Sequence, residues 1–289
     1  MNPTKDECGK SPSIRLYRAG NNCRWFSRIA SPKGHLARCL PLLMLPVFHP
    51  CAFGLEVDCQ ACNFCRGQPD LKDELTRRIK KHIAEGKSVE EIAMLEGGRS
   101  ILRPPIELWA NRHPGAVRPD PEKLKYRGSR LSNNGFIACI EPCVRVNGVC
   151  LGTDKLGHLF QEGWEYYRIS VVDKKGDRMA ERYGEWLEGK ESRDAYVADE
   201  PYFRQQLSGG RVGYGGYGRT LTGVISNADL EANKAGLRMY KDIQNGRFKS
   251  IGDYVCSQLC EEVNLNEYTS EMETIVRGNG RKLPDRRNL

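Results

Sequence analysis

The sequence predicts a mainly α-helical fold: a single helical domain with a minor β-hairpin, supported by disulfide bonds. Apolar residues recur at helical spacing along much of the chain, and the strongest hairpin turn is Asn147-Gly148. An even number of cysteines also follows a segment that resembles a signal peptide. We therefore expect a leader at 1–54, a helical domain at 55–276 and a polar tail at 277–289.

The leader contains an apolar run, 39–54, that follows a basic stretch. This order of basic, apolar and small residues is typical of a secretory signal peptide, and an ordinary buried apolar segment is the alternative. The run is short and is broken by Pro41 and Pro46, whereas a membrane-spanning helix needs about 20 residues. We expect an exported protein, periplasmic or secreted, without a transmembrane span and cleaved between about Cys51 and Glu56.

The positive charge of the chain is concentrated in the leader. Residues 1–54 hold eight basic and two acidic residues, which accounts for six of the eight net positive charges. The remaining 37 basic and 35 acidic residues nearly balance. A nearly neutral body gives no general electrostatic reason to bind nucleic acid, so no nucleic-acid partner is expected. An envelope component or another protein remains possible as a partner.

Eight of the 12 cysteines lie after the leader, which is typical of a disulfide framework in an oxidising compartment. They are Cys59, Cys62, Cys65, Cys139, Cys143, Cys150, Cys256 and Cys260. A structural metal bound by the closely spaced Cys59, Cys62 and Cys65 is the first alternative, and free thiols are the second. Zinc sites usually use a second, separated pair of ligands, and no second C-x-x-C motif is present. The spacing does not define which cysteines pair.

The periodicity predicts the secondary elements in chain order. Ser88 and Glu91 form a capping-box pattern at the start of the second helix. The prolines of 103–121 predict an extended connection along the surface, and the glycines of 208–222 predict a mobile loop. The predicted helices are 71–84, 89–95, 154–171, 176–188, 227–244 and 250–263, and the predicted hairpin pairs 143–146 with 149–151.

The first polar motif begins the helix predicted at 154–171. Asp154, His158 and Glu162 lie one turn apart on a single stripe, opposite an apolar face. They could form the solvated face of an amphipathic helix. Alternatively, they could face a cleft and act as base, acid or metal ligands. Lys155 lies next to this stripe and is a candidate binding residue.

The second polar motif lies on the helix predicted at 227–244. Asp229, Asn233 and Tyr240 lie in the middle of its apolar face. A buried carboxylate is costly unless a cation or a donor satisfies it. Lys155 and His158 are the natural partners, so we expect the two motif helices to pack together with these groups in hydrogen-bonding reach.

The two motifs, Asp-Lys-x-x-His at 154–158 and Asp-Leu-x-Ala-Asn-x-x-Gly at 229–236, resemble those of a family of uncharacterised exported proteobacterial proteins. They are also distantly similar to VanZ-like envelope proteins. The resemblance implies a location in the cell envelope more directly than it implies an activity.

Two functions follow from these observations. One is an envelope protein of unknown activity, in which the Asp/His/Asp/Asn cluster is a polar network joining two helices. The other is an exported hydrolase of an envelope or host polymer, with Asp154, His158, Glu162 and Asp229 as candidate catalytic residues and possible assistance from a metal. Lys155, Asn233 and Tyr240 would then be binding residues. The patterns Gly-x-Ser-x-Gly and His-Glu-x-x-His are absent, and the sequence identifies no metal or cofactor.

Overall fold

The structure, a computed structural model, describes residues 54–60, 63–98, 104–129, 131, 139–191, 193–207, 218–281 and 283. The leader, apart from Gly54, and most of the glycine-rich segment lie outside the described residues, as does Cys62. All of the elements below belong to one unit, Pro50–Leu289.

The described part of the chain is mainly helical, as predicted. The α-helices are α1 (Lys72–Ala84), α2 (Val89–Glu96), α3 (Pro105–Arg112), α4 (Thr153–Gly157), α5 (Gly163–Tyr167), α6 (Asp177–Glu188), α7 (Glu200–Leu207), α8 (Asn227–Gln244) and α9 (Ser270–Gly278). Single π-helical turns, His158–Glu162 and Arg168–Val172, join and extend α4 and α5. The continuous helical segment 153–172 is called the motif helix below.

Three small two-stranded sheets accompany the helices in the described part of the chain. Strands β1 (Gly54–Val57) and β2 (Cys139–Glu141) pair in parallel. Strands β3 (Cys143–Val146) and β4 (Val149–Gly152) form the predicted hairpin, and β5 (Val224–Ile225) pairs with β6 (Glu267–Tyr268). The turn residues Asn147 and Gly148 both have positive φ angles, 51° and 77°, as a tight hairpin turn of the Asn-Gly type requires. The hairpin leads directly into the motif helix.

The main core lies where α1, α2, the motif helix, α6 and α8 meet. Leu75, Ile79, Phe160 and Met239 have no exposed surface there. The regular spacing of Leu71, Leu75 and Ile79 along α1 supplies one side of this core, which confirms the predicted amphipathic helix. Helix α2 begins with the predicted capping box, in which the Ser88 hydroxyl accepts from Glu91 N–H and the Glu91 carboxylate accepts from Ser88 N–H.

Disulfide bonds tie the segment after β1 to the hairpin. Cys59 is bonded to Cys143, and Cys65 to Cys150. These bonds confirm the predicted disulfide support and show that Cys59 and Cys65 are not metal ligands. Cys256 and Cys260 are disulfide-bonded as well.

Two predicted elements were wrong. Helix α3 lies inside the stretch predicted to be extended, because proline is well tolerated in the first helical turn and Pro105 occupies it. Ile106 and Ala110, one turn apart, are then completely buried. The helix predicted at 250–263 is instead two 3₁₀ turns, Ile251–Tyr254 and Ser257–Leu259, separated by extended residues.

Candidate functional site

Lys155 is the centre of the candidate site. It has no exposed surface, and its ammonium group lies close to three carboxylates. Lys155 Nζ is 2.7 Å from Asp154 Oδ2, 2.6 Å from Asp229 Oδ1 and 2.8 Å from Glu261 Oε1. The three acids come from the motif helix, from α8 and from the segment after the 3₁₀ turns. A single buried cation therefore joins three separate parts of the chain.

Local structure at the start of the motif helix positions Asp154 and Lys155. The Thr153 hydroxyl donates a hydrogen bond to the side-chain oxygen of Asn111 on α3. The Asp154 carboxylate accepts from the Lys155 backbone N–H at 2.8 Å as well as from its side chain. Gly152 leaves room for this arrangement, because a Cβ at that position would overlap the Asp154 carboxylate and lie within 2.7 Å of Val57.

The start of α8 positions Asp229. The Ser226 hydroxyl accepts from the Asp229 N–H at 3.2 Å, which is the hydrogen bond of an N-cap residue. Asp229 consequently lies in the first turn, where the helix dipole favours a negative charge. The cap fixes Asp229 in the first turn of α8, where its carboxylate contacts Lys155.

Close helix packing brings the two motifs together. The motif helix and α8 cross at Gly163 and Gly236, where a Cβ on Gly163 would lie 2.5 Å from Gly236 Cα. A Cβ on Gly236 would overlap the carbonyl oxygen of Leu159. The expectation that the two helices pack against each other, with Asp229 and Asn233 beside Lys155 and His158, is therefore confirmed.

A second buried lysine extends the network beyond Glu261. Lys125 Nζ is 2.8 Å from Glu261 Oε2, and the Lys125 backbone N–H donates to Asp58 Oδ2 at 2.6 Å. Asn266 Nδ2 also donates to Glu261 Oε2, at 3.0 Å. Arg281 lies 3.6 Å from Asp58 at the edge of this group. Glu261 is thus shared between two lysines.

Burial and charge shift the proton equilibria of this network in opposite directions. Burial raises the pKa of Glu261, but Lys125 and Lys155 outweigh it and hold the pKa at about 2. Burial disfavours the charged form of Lys155, yet its three carboxylates raise its pKa well above the ordinary value. Burial raises the pKa of Asp154, and the opposite effect of Lys155 does not cancel this shift. Burial also raises the pKa of Glu56, although a hydrogen bond with the Thr222 hydroxyl opposes the shift. Lys155 and Glu261 are consequently charged at neutral pH.

His158 occupies the more accessible side of the network, with 25% of its side chain exposed. Its Nδ1 is 3.1 Å from Asn233 Oδ1, and its Nε2 is 3.3 Å from Asp229 Oδ2. Burial lowers the pKa of the imidazole, but Asp229 and Glu188 outweigh this effect and raise it overall. His158 therefore links the buried ion pairs to solvent.

Glu188, at the end of α6, lies beside His158 and Asp229. Burial and the Asp229 carboxylate raise the pKa of Glu188 to about 8, although His158 and a hydrogen bond from the Ser226 N–H oppose the shift. Gly218 packs directly on this carboxylate, because a Cβ there would overlap Glu188 Oε2. Ligand atoms of His158, Glu188 and Asp229 all lie within 4.8 Å of one another.

The structure brings together Asp154, Lys155, His158, Asp229 and Asn233 of the predicted site residues. The first motif is not a solvated face, because the side chain of Asp154 is only 5% exposed. Its carboxylate accepts from the backbone N–H and the ammonium group of Lys155 instead of facing water.

The remaining two predicted residues have other surroundings. The hydroxyl of Tyr240 donates to the carbonyl oxygen of Phe160 at 2.7 Å, in an aromatic cluster with Trp164 and Tyr167. Tyr240 is fully buried, so its assignment as a binding residue is not supported by its position. Glu162 is partly buried, with Oε2 covered, and its charge adds to the effect of burial in raising the pKa of Tyr166.

Sequence reasoning missed Glu188, Glu261, Lys125 and Glu56. One signal was available for Glu188, because an acidic residue at a helix C-terminus is opposed by the helix dipole and needs another reason to be there. Glu56 occupies the polar position of a regular alternation, Leu55-Glu56-Val57, and so carries no signal of its burial. Glu261 and Lys125 carry no comparable local signal, since only the path of the chain brings them to Lys155.

The arrangement permits two kinds of chemistry. Lys155 pairs with the inner carboxylates of Asp154 and Glu261, and Lys125 pairs with Glu261 as well, so these groups are suited to holding the fold together. The outer set, His158, Glu188 and Asp229, includes the more accessible imidazole and could exchange protons or hold a cation.

Within the described part of the chain, no helix combines the length and the apolar character that a membrane span needs.

Comparison with known proteins does not assign the chain to a family. The sequence matches no protein-family model and no curated protein, and the fold matches no solved structure.

Proposed function

We propose that this chain is an exported protein of the bacterial cell envelope, periplasmic or secreted, whose polar cluster is a structural junction between helices. The observation that carries the structural part is Lys155, which is fully buried and touches carboxylates from three segments. A buried charge is tolerated only when it is paired in this way, and such a cluster fixes the relative positions of the segments that supply it.

Three observations support the exported location. Residues 39–54 follow a basic stretch and have the pattern of a signal peptide. The bonds Cys59–Cys143 and Cys65–Cys150 are of the type that persists in oxidising compartments. The motif pair at 154–158 and 229–236 resembles that of exported proteobacterial proteins.

Fractionation tests the location. The full chain with a C-terminal tag should be released from a Gram-negative host by osmotic shock, or recovered from the medium. Alkylation without reduction should then leave Cys59, Cys65, Cys143 and Cys150 unmodified. Recovery of the intact chain from the cytoplasm with these cysteines alkylated would contradict the proposal.

A hydrolase of an envelope or host polymer is the second candidate. The observation that favours it is the partly exposed His158 next to Glu188 and Asp229, since an imidazole between carboxylates can act as a general base. Incubation with purified cell-wall sacculi should then release soluble fragments, and His158→Gln should abolish the release. Equal release by the variant, or none by the parent, would exclude this use of the site.

A further inference from the structure

Three potential metal ligands converge from three parts of the fold. His158 lies at the first π turn of the motif helix, Glu188 ends α6, and Asp229 lies in the first turn of α8. One ligand atom from each side chain lies within 4.8 Å of the others. All three residues are anchored on helices that pack closely, so the set is held in place by the fold.

The hydrogen bond of His158 directs its second nitrogen into this set. Nδ1 of the imidazole lies 3.1 Å from Asn233 Oδ1 and, when it carries a proton, donates to this oxygen. Nε2 then faces Asp229 Oδ2 at 3.3 Å. Either a proton or a metal ion can join these two atoms. Metal-bound histidines commonly make this kind of hydrogen bond through their other nitrogen.

The separation of His158 Nε2 and Asp229 Oδ2 fits a bound metal. Charged N–H···O hydrogen bonds are typically about 2.7–2.9 Å long, and the His158–Asp229 distance of 3.3 Å is longer. Zn²⁺ binds nitrogen and oxygen at about 2.0–2.1 Å, which in a tetrahedral centre separates two ligands by roughly 3.3–3.4 Å. The pair therefore already has the spacing of two ligands on one ion.

The charge of the surrounding network also favours a cation. The carboxylates of Glu56, Asp154, Glu188, Asp229 and Glu261 are accompanied by the ammonium groups of Lys125 and Lys155. Buried negative charge needs a compensating positive charge. A divalent ion held by His158, Glu188 and Asp229 would add positive charge on the outer side of these carboxylates.

We propose that His158, Glu188 and Asp229 form a binding site for one divalent transition-metal ion, with Zn²⁺ as its representative. One imidazole and two carboxylates are a mixed nitrogen and oxygen set that suits such ions better than Ca²⁺ or Mg²⁺. The side chain of His158 is 25% exposed, so the site is not sealed from solvent. This site goes beyond the proposed export and structural role and does not depend on either.

Metal titration of the disulfide-intact protein tests the site. The protein is stripped with EDTA, dialysed and titrated with Zn²⁺ at neutral pH by calorimetry, and bound zinc is measured by mass spectrometry after gel filtration. We expect saturable binding of one equivalent, with proton release that appears as a buffer-dependent enthalpy, because the ligands must be deprotonated. Absence of stoichiometric binding would overturn the proposal.

Matched variants locate the ion. Glu188→Gln keeps the shape of the side chain but removes its charge, and Glu181→Gln is the control on the same helix. The affinity for Zn²⁺ should fall in Glu188→Gln and in His158→Gln. The fall should exceed the roughly 10- to 100-fold that is typical of losing a residue that only hydrogen-bonds a metal ligand. The affinity should be unchanged in Glu181→Gln. Unaltered binding in both ligand variants would place the ion elsewhere and contradict the assignment.

A spectroscopic measurement covers the case in which a ligand variant does not fold. Co²⁺ bound to the parent protein should give visible bands of a nitrogen and oxygen site without a thiolate charge-transfer band. A thiolate band would show that cysteines bind the ion, and the proposed site would then be wrong.

Discussion

Lys155 is the residue on which the arrangement of the site depends most directly. Its ammonium group is the common partner of Asp154, Asp229 and Glu261, and all four side chains are at most 6% exposed. Removing one partner of a buried ion pair is much more costly than replacing the whole pair by apolar residues, because the remaining charge stays buried without compensation. Each member of the network should therefore be far less replaceable than a surface charge.

Replacing Lys155 tests this directly. Lys155→Met should lower the free energy of unfolding by about 3–5 kcal/mol, because it removes the cation that three buried carboxylates share. Asp229→Ala should also destabilise strongly. The control is Lys234→Met, which removes the partly exposed pair of Lys234 with Glu231 and should cost about 1 kcal/mol or less. Urea denaturation of the three variants measures the difference, and equal stability of Lys155→Met and Lys234→Met would refute the structural junction.

Glu261 gives the network a defined dependence on acid. Its pKa in the folded protein is about 2, below the ordinary 4.5, because Lys125 and Lys155 overcome the effect of burial. A depressed pKa stabilises the folded state above the ordinary pKa, and this stabilisation is lost as the pH falls towards the folded value. The contribution of Glu261 is therefore complete above about pH 4.5 and disappears towards pH 2.

The free energy of unfolding of the parent protein should fall across this acid range, and it should fall less steeply in Glu261→Gln. Glu271→Gln, at an exposed position on α9, is the matched control and should follow the parent curve. Urea denaturation at a series of acidic pH values, with EDTA present, measures the slopes. Parallel curves for the parent and Glu261→Gln would show that the two lysines do not hold this carboxylate in its charged form.

At the scale of elements, the site depends on how closely the motif helix and α8 approach. Gly163 and Gly236 face each other at the crossing, where neither has room for a side chain. The same approach places Asp229 next to Lys155 and Asn233 next to His158. Separation of the two helices would consequently weaken the core and the polar network together.

A methyl group at this crossing should separate the helices. Gly236→Ala should destabilise the protein by about 3 kcal/mol, the upper end of overpacking costs, because its Cβ meets the backbone carbonyl of Leu159. Gly278→Ala in α9 is the control, since a Cβ there contacts nothing within 4 Å. It should be neutral or slightly stabilising, by up to about 1 kcal/mol, from helix propensity. Thermal melts compare the two, and a Gly236→Ala variant as stable as Gly278→Ala would contradict the close crossing.

Sequence patterns predicted these elements where the cause was local. The wheel positions of Asp229 and Asn233 on an apolar face indicated that partners were needed, and the first motif supplied them. Asn147-Gly148 fixed the hairpin in the same local way. Helix α3, by contrast, was not predicted. The prolines of 103–121 indicated an extended segment, although Ile106 and Ala110 have helical spacing.

At the scale of the whole molecule, the missing parts of the site come from distant segments. Glu261 reaches Lys155 only because the chain after α8 runs through two short 3₁₀ turns instead of one helix. Lys125 reaches Glu261 from the other direction. No periodicity or motif reports a contact between residues this far apart in sequence, so Glu261 and Lys125 could not be predicted. The residues of the two polar motifs could, because each motif carries its own signal.

The N-terminal strand also limits where a leader could be removed from the folded protein. Strand β1 pairs with β2 through Glu56 and Val57, and these two side chains are 3% and 1% exposed. Cys59 follows immediately and is bonded to Cys143 in the hairpin. Loss of Glu56 or Val57 would therefore uncover the second core cluster, formed by Val57 with the bonded cysteines.

Cleavage of the proposed signal peptide should accordingly leave β1 intact. We expect the exported protein to begin between Ala52 and Glu56, within the predicted range, so that Glu56 and Val57 remain paired with β2. Intact mass measurement and N-terminal sequencing of the protein from the periplasm or the medium determine the first residue. A start beyond Glu56 would contradict the requirement for β1, whereas an uncleaved chain in the cytoplasm would contradict export itself.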